Sequence, residues 1–525
     1  MEQLRLLKFP GSVSFIHSTS FLIFFFTVFK LCIHLFTMNN YGLHADELYY
    51  IELSRNFSWG YLDISPFISW VARFESLFGE SVTTWRLIPV ICSSLTVMLT
   101  GMITQMVGGK RLAVGIACSA ILCSPAVLAT SYLLQPAVFD QFFWTLVTYG
   151  FLAYHKSGKL SYMYLVSVAF SLGMLNKYTI VLFMLTAVFI CLVSRKKTRD
   201  FELKKLAGPV LLSILILLPN LTWQYLHGFP ILNYSAVVAK GALGIDVGDY
   251  FFQLFFFHGA GVAVWTAGLG YLLFQKKKTI LAQIWLLCFF LIVVLLLFLK
   301  GKLYYGLGIF PILFAYGGYC WALMFRRLNR AYVALHFAVL YAVGLFSLPL
   351  VIPVWRIEIS RIYFYELVRL TGFTRPFVWQ DGKTGTIPEF FADMTGWEDF
   401  SNKIMALSIS QPAKGMVVLT DDYAIIGALR YYGKAGFPQV VSVSNSFSLN
   451  APKILTGKNV IYLSKKKISQ IKSLAKYARL SEVIKIENAH LSGVHVYLLY
   501  GSNSKLQAKY NADRELFYSQ PNISE

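Results

Sequence analysis

Long apolar runs fill the first 355 residues and then stop. Eleven of them, near 17–38, 84–107, 112–130, 135–154, 160–175, 178–194, 206–222, 250–274, 279–299, 303–325 and 331–353, approach the ~20 residues that a membrane helix needs. The pair 160–175 and 178–194 is the least clearly divided. Counting from a cytoplasmic N-terminus places Lys110–Arg111, Lys156 with Lys159, the 195–205 cluster, Lys276–Lys277–Lys278 and Arg326–Arg327–Arg330 on the inner side, as the positive-inside rule expects. Lys300 and Lys302 fall on the other side and need a separate reason. No small-residue cleavage signal follows the first span, which reads as an anchor.

Two stretches break the pattern. Residues 39–83 carry apolar positions at Leu48, Ile51, Leu53, Phe57 and Trp59, then at Phe67, Trp70, Val71, Phe74 and Leu77. This spacing predicts two short helices lying at the membrane surface, with a turn at Gly60–Tyr61–Leu62–Asp63. Beyond about 355, β-type runs at 416–420, 439–443, 459–463, 482–486 and 493–500 are separated in part by helical stretches at 423–432 and 466–479. The expected fold class is therefore a polytopic α-helical membrane protein with a C-terminal periplasmic α/β domain. Its domains would be 1–355 (with the outer loop 39–83), 356–505, and a flexible tail at 506–525. The implied location is a bacterial inner membrane, with the N-terminus cytoplasmic and the C-terminal domain periplasmic or extracellular.

Composition supports this picture. Hydrophobic residues make up 56% of the 525 and charged residues 14%, against roughly 45–50% and 25% in soluble domains, which excludes a large soluble enzyme. The net charge of +21 sits in short clusters between spans, without a basic groove interleaved with aromatics, so nucleic acid is not an expected partner. The seven cysteines all fall within expected spans, leaving no disulfide framework and no CxxC metal site.

Candidate chemistry collects on the outer side. Asp46 and Glu47 follow the first span in His44–Ala45–Asp46–Glu47–Leu48–Tyr49–Tyr50, where a carboxylate can act as a base, hold a metal, or cap a helix. His44 has no nearby second His or Cys and does not argue for zinc by itself. Asp140 lies about a turn and a half into a span, where an ionisable group is costly and faces a cavity or a partner. Lys177 begins a span from the same side, and snorkelling is its plainer reading. Lys300, Lys302, Tyr304 and Tyr305 suit an anionic group such as a lipid phosphate, or an interfacial belt. Arg55, Arg86 and His258 are further candidates for that anion, although each also has a structural reading.

These stretches resemble the membrane glycosyltransferases of the GT-C superfamily, most closely the bacterial glycosyltransferase family 39-like proteins, which are similar to protein O-mannosyltransferases and the lipid A aminoarabinose transferase. The resemblance rests on Ala45 to Tyr50, Gly60–Tyr61–Leu62–Asp63–Ile64–Ser65–Pro66, the Asp140 region, Asn176–Lys177–Tyr178–Thr179, Leu218 to Gln224 with His227–Gly228, and Lys302 to Pro311. In the tail it extends to Phe391 to Trp397, Asp421–Asp422–Tyr423 and Tyr431–Tyr432–Gly433. It implies a polyprenyl-phosphate-sugar donor and inverting transfer to a glycolipid, polysaccharide or protein hydroxyl. Asp46 would be the general base, Glu47 an assistant, Asp140 the second outer acid and Lys302 a lysine near the donor phosphate. A divalent cation (Mg, Mn or Zn) at Asp46, Glu47 and Asp140 is a candidate cofactor. Asp63–Ile64–Ser65–Pro66 departs from the wording of many relatives, so acceptor preference does not carry over. The rival readings are a transporter, for which inverted repeats and broken helices would be expected, and an assembly protein with a periplasmic domain.

Overall fold

A computed structural model describes residues 18–193, 203–241, 247–275, 279–299, 301–379, 382–411, 416–434, 436–465, 467–469, 471–486, 489 and 491–515. Lys276–Lys277–Lys278, Lys300 and most of the 195–205 cluster lie outside them. The chain forms two compact units. A helical unit draws on 1–37, 86–218 and 241–352, and a mixed unit on 38–85, 219–240 and 353–525.

The protein is a largely α-helical polytopic membrane protein with a C-terminal β-rich domain. Among the described residues, six helices are long and apolar enough to cross a membrane: Thr19–Thr37, Val82–Met106, Ala207–Leu226, Ile280–Phe298, Leu303–Phe325 and Arg330–Val351. A bent pair, Tyr250–Phe256 with Gly259–Phe274, brings the total to seven if it counts as one span. The apolar run at 250–274 is thus bent rather than one continuous helix. The chain turns by 94° at His258–Gly259, where Gly259 takes φ +52° and a Cβ would press on Pro125 and Val343 at 3.3 Å, a position suited to glycine. Arg111–Leu122, Ser161–Asn176 and Tyr178–Ile190 are apolar but shorter. The faint division between 160–175 and 178–194 is real, because Lys177 leaves the helix with extended backbone (φ −159°, ψ 126°).

Close backbone approach fixes the helical unit. A Cβ on Gly317 of the Phe310–Phe325 helix would lie 1.9 Å from the Val264 carbonyl oxygen of the Val262–Phe274 helix. In lipid, apolar side chains gain little by leaving one apolar medium for another, so helices pair through small residues that let their backbones touch. Trp144, Trp265 and Trp285 are fully buried around this contact-rich core.

The mixed unit is built on a five-stranded sheet of order β2-β1-β3-β5-β4, with β1 Val417–Thr420, β2 Gln439–Ser442, β3 Val460–Ser464, β4 Ala475–Ile484 and β5 Val494–Ser502. The pairs β1–β2 and β1–β3 are parallel, and β3–β5 and β4–β5 antiparallel. Strands β1 and β3 are buried along their whole length, which explains their unbroken apolar sequence. The helix expected at 466–479 does not form. Ile471–Ser473 is a short 3-10 turn and β4 begins at Ala475. This edge strand exposes Lys476, Tyr477, Arg479 and Glu482, and charged edges are common because they discourage further pairing. Its polar composition resembles a helix, but pairing with β5 decides the outcome. Residues 506–515, expected within a flexible tail, belong instead to the helix Ser504–Glu515. Leu506 and Tyr510 from that helix join the sheet core with Val417, Tyr462 and Leu499.

The first of the two helices expected at the membrane surface also differs. Ala45–Ser54 is buried on nearly every side, and its Leu48 backbone lies so close to the Tyr423–Tyr432 helix that a Cβ on Gly427 would approach to 2.9 Å. Apolar spacing cannot distinguish lipid from a protein partner. The Phe67–Glu75 helix exposes Phe74, and Phe57, Trp59, Leu77 and Phe78 are exposed nearby in the chain.

Candidate active site

The Ala45–Ser54 helix starts with a reciprocal cap. His44 Nδ1 accepts the Asp46 backbone N–H at 3.1 Å, and the Glu47 carboxylate accepts the His44 N–H at 2.8 Å. Two helix-end donors are thereby satisfied. Accepting at Nδ1 puts the ring proton on Nε2, which faces an Asp393 oxygen at 3.8 Å. The Asp393 carbonyl in turn accepts the Ala45 N–H at 3.0 Å. Capping thus falls to His44 and Glu47 rather than Asp46, and Glu47 is fully buried.

Asp46 keeps about a third of its side chain exposed (32%). The Tyr423 hydroxyl donates to its Oδ1 at 2.8 Å. The Asp46 charge, together with burial, pushes the Tyr423 phenol well above its ordinary value, so this tyrosine stays protonated and acts as a donor. An aspartate oriented through one oxygen and open to solvent is placed to take a proton from a bound hydroxyl. Tyr423 is itself held by the N-cap of its own helix, where Asp422 Oδ1 accepts from Ala424 and Ile425 at 2.9 and 3.2 Å. Lys465 pairs with the other Asp422 oxygen at 2.9 Å.

Two further networks stiffen this scaffold. Tyr49 donates to Asp63 at 2.7 Å, Ser446 donates to the same carboxylate, and the Ser446 N–H reaches the Tyr49 oxygen at 3.2 Å. Burial raises the Asp63 carboxyl above its ordinary value, although these donors oppose the shift. Arg430 binds Glu52 at 2.9 Å and the Val440 carbonyl at 2.8 Å. Burial raises Glu52 as well, with Arg430 pulling the other way. Arg55, a candidate for anion binding, instead pairs with Glu52 at 3.1 Å and Glu80 at 3.6 Å.

The helical unit holds the second set. Asp140, in the first turns of the Pro136–Ser157 helix, accepts from Trp144 Nε1 at 3.1 Å and from Thr179 at 3.2 Å. The Lys177 ammonium lies over the rings of Tyr305 and Tyr304, 4.1 and 5.3 Å from their centroids, a cation–π cradle. Asn176 ties this corner to the Pro136 carbonyl at 2.9 Å. Lys302 is exposed just ahead of the Leu303–Ile309 turn that carries both tyrosines. Asp140, Lys177, Tyr304 and Tyr305 thus gather as expected candidates. His258 and Arg86 have different surroundings. His258 is buried against Phe310 with its Nδ1 2.8 Å from the Ser124 hydroxyl, and the buried Arg86 lies over Tyr132 at 5.4 Å.

Asp46, Glu47 and Asp140 are the carboxylates offered as metal ligands. Glu47 is committed to the helix cap, and among the described residues no three His, Cys, Asp or Glu side chains are grouped to hold an ion. Tyr423 and Asp393 lie in stretches that carry the resemblance, yet nothing in the residue order points to a role for either. Tyr423 is 377 positions from Asp46, and only the folded chain brings the two together.

The pattern of the dolichyl-phosphate-mannose-protein mannosyltransferase family matches residues 63–223. No curated protein sequence matches the chain. ArnT from Cupriavidus metallidurans, solved bound to undecaprenyl phosphate, is similar over 92% of this chain and 98% of its own, with a TM-score of 0.56 and 16% identity. Its apo state gives the same TM-score over 91% of this chain. The archaeal oligosaccharyltransferase AglB from Archaeoglobus fulgidus, in complex with an inhibitory peptide and a dolichol-phosphate, is similar over 84% of this chain and 69% of its own, with a TM-score of 0.50 and 13% identity. At such identities the likeness shows the fold alone, which this chain shares with these two proteins.

Proposed function

We propose that the protein transfers a sugar from a polyprenyl-phosphate-linked donor to a hydroxyl or phosphate of a glycolipid or glycan on the outer face of a bacterial inner membrane. The observation that carries this reading is the partly exposed Asp46 held by Tyr423, on a helix whose cap is provided by other residues. Asp46 takes the proton of the acceptor hydroxyl as that oxygen attacks the anomeric carbon from the face opposite the phosphate, and the configuration inverts. The donor phosphate leaves as an anion and needs charge stabilisation more than protonation. Lys177, set on its tyrosines, and the exposed Lys302 are the groups suited to provide it, with Asp140 keeping Thr179 and Trp144 in place beside them. Family membership in the 39-like group, the eleven-span topology and an outward C-terminal domain belong to the same proposal. A protein hydroxyl is the second acceptor reading, favoured by the mannosyltransferase pattern at 63–223.

The test compares lipid extracts and surface glycans of cells carrying the native protein or Asp46→Asn, by mass spectrometry. A single sugar mass missing from one glycolipid or glycan identifies donor and acceptor together. Unchanged products would overturn the assignment.

A further inference from the structure

The mixed unit contains a recess of about 670 Å³ that the catalytic reading does not use. This is ample for a small ligand, since such sites run from ~300 to 1,000 Å³, yet its wall differs from that of an apolar pocket. One side is an aromatic platform. The Trp223 indole is stacked on the His227 imidazole, with centroids 4.0 Å apart and planes within 14°. Gly60 makes room for it, because a Cβ there would come within 2.2 Å of the indole. The opposite wall is charged but balanced. Glu52 is shared by Arg430 and Arg55, and Arg55 also faces Glu80. Glu80 stands outside the lining but 3.6 Å from Arg55, so the two guanidiniums are matched by two nearby carboxylates. They present fixed donors and acceptors in a planar array, and amides such as Asn450 complete the lining.

We infer that this recess binds a neutral, hydroxyl-rich saccharide. A pyranose ring has an apolar C–H face suited to the Trp223–His227 platform and an equatorial rim of hydroxyls suited to paired arginine and carboxylate groups. A free anion would have to displace Glu52 from Arg430, and an apolar ligand would leave the polar wall unsatisfied. The recess also communicates with the proposed base. Phe447 lines it and packs on Tyr49 at 5.3 Å, Tyr49 packs on Tyr423 at 5.1 Å, and Tyr423 holds Asp46. Resting on the transferase reading for this role alone, the saccharide is the non-reacting part of the acceptor.

The full chain in lipid nanodiscs, fluorescently labelled, is applied to a printed array of neutral, acidic and phosphorylated oligosaccharides. Retention on neutral oligosaccharides is expected, falling at least ten-fold in Trp223→Ala and in Arg430→Ala while persisting in Trp223→Phe and Asp46→Asn. Unfolding midpoints of all variants separate lost binding from lost folding, and His227→Ala replaces any variant that fails to fold. Retention only on acidic or phosphorylated glycans, no retention at all, or unchanged binding in folded Trp223→Ala and His227→Ala overturns the inference. Neutral-glycan binding in a protein whose Asp46→Asn variant still transfers sugar would support the recess and overturn the catalytic assignment.

Discussion

The two polar clusters are assembled in opposite ways. In the helical unit, Asp140, Trp144, Lys177 and Thr179 come from neighbouring helices joined by a short connection, and the tyrosines arrive on one tight turn. In the mixed unit, Asp46 is oriented by a tyrosine near the far end of the chain, and Asp63 by a serine 383 positions away. The first cluster depends on helix geometry, so it forms wherever those helices pack. The second exists only if the loop after the first span and the β-rich domain fold as one body. Charge handling also differs. Lys177 is stabilised by ring faces, whereas Glu52, Asp63 and Asp422 are each met by donors or cations from another segment. A group that must bind and release an anion is better served by the former, because a ring face attracts a cation without neutralising it. A base that must keep one orientation is better served by the latter.

This contrast can be tested at several points, beginning with the largest effect. Asp46→Asn should lower transfer by on the order of 10²–10⁴ with its unfolding midpoint retained, measured in vesicles with a defined polyprenyl-phosphate sugar. Gly317→Val should destabilise the helical unit by about 1–3 kcal/mol or more, because the new side chain meets a backbone carbonyl that cannot move alone. A lowered melting temperature in detergent would report it. Lys177→Ala should lower kcat/KM for the donor about ten-fold, the order expected for losing one charge-assisted contact.

The smallest effect concerns pH. Burial raises the Asp63 carboxyl above its ordinary value of 3.8, so the folded state binds its proton more tightly than the unfolded state. That contribution is fully present below the ordinary value and is lost as pH rises through the raised one. The stability of the native protein should therefore decline across that acid window, and Asp63→Asn should flatten the slope in pH-dependent thermal melts. A steeper slope in the variant would mean that the Tyr49 and Ser446 hydrogen bonds outweigh burial.

Much of the protein was legible from residue order. Strands β1, β2, β3 and β5 and the Tyr423–Tyr432 helix lie where apolar runs place them, because a buried strand must be apolar on both faces. The break at Lys177 and the outer carboxylates were also visible. The edge strand β4 was not, since its exposed Lys, Arg and Glu side chains carry no strand signal and only pairing with β5 defines it. The bend at His258–Gly259 was hidden within a continuous apolar run.

Residue order was enough for a membrane protein with a β-rich C-terminal domain and for marking Asp46, Asp140 and Lys177 as candidates, because hydropathy and charge are properties of each residue in place. Tertiary structure alone decided which of them acquired partners. His44 and Glu47 took the helix cap, Tyr423 took Asp46, and Glu52 drew Arg55 and Arg430 into the wall of a recess. A hydrogen bond is a short-range contact, and chain separation gives no measure of which donor will stand within 3 Å of which acceptor until the packing of the whole unit brings them together.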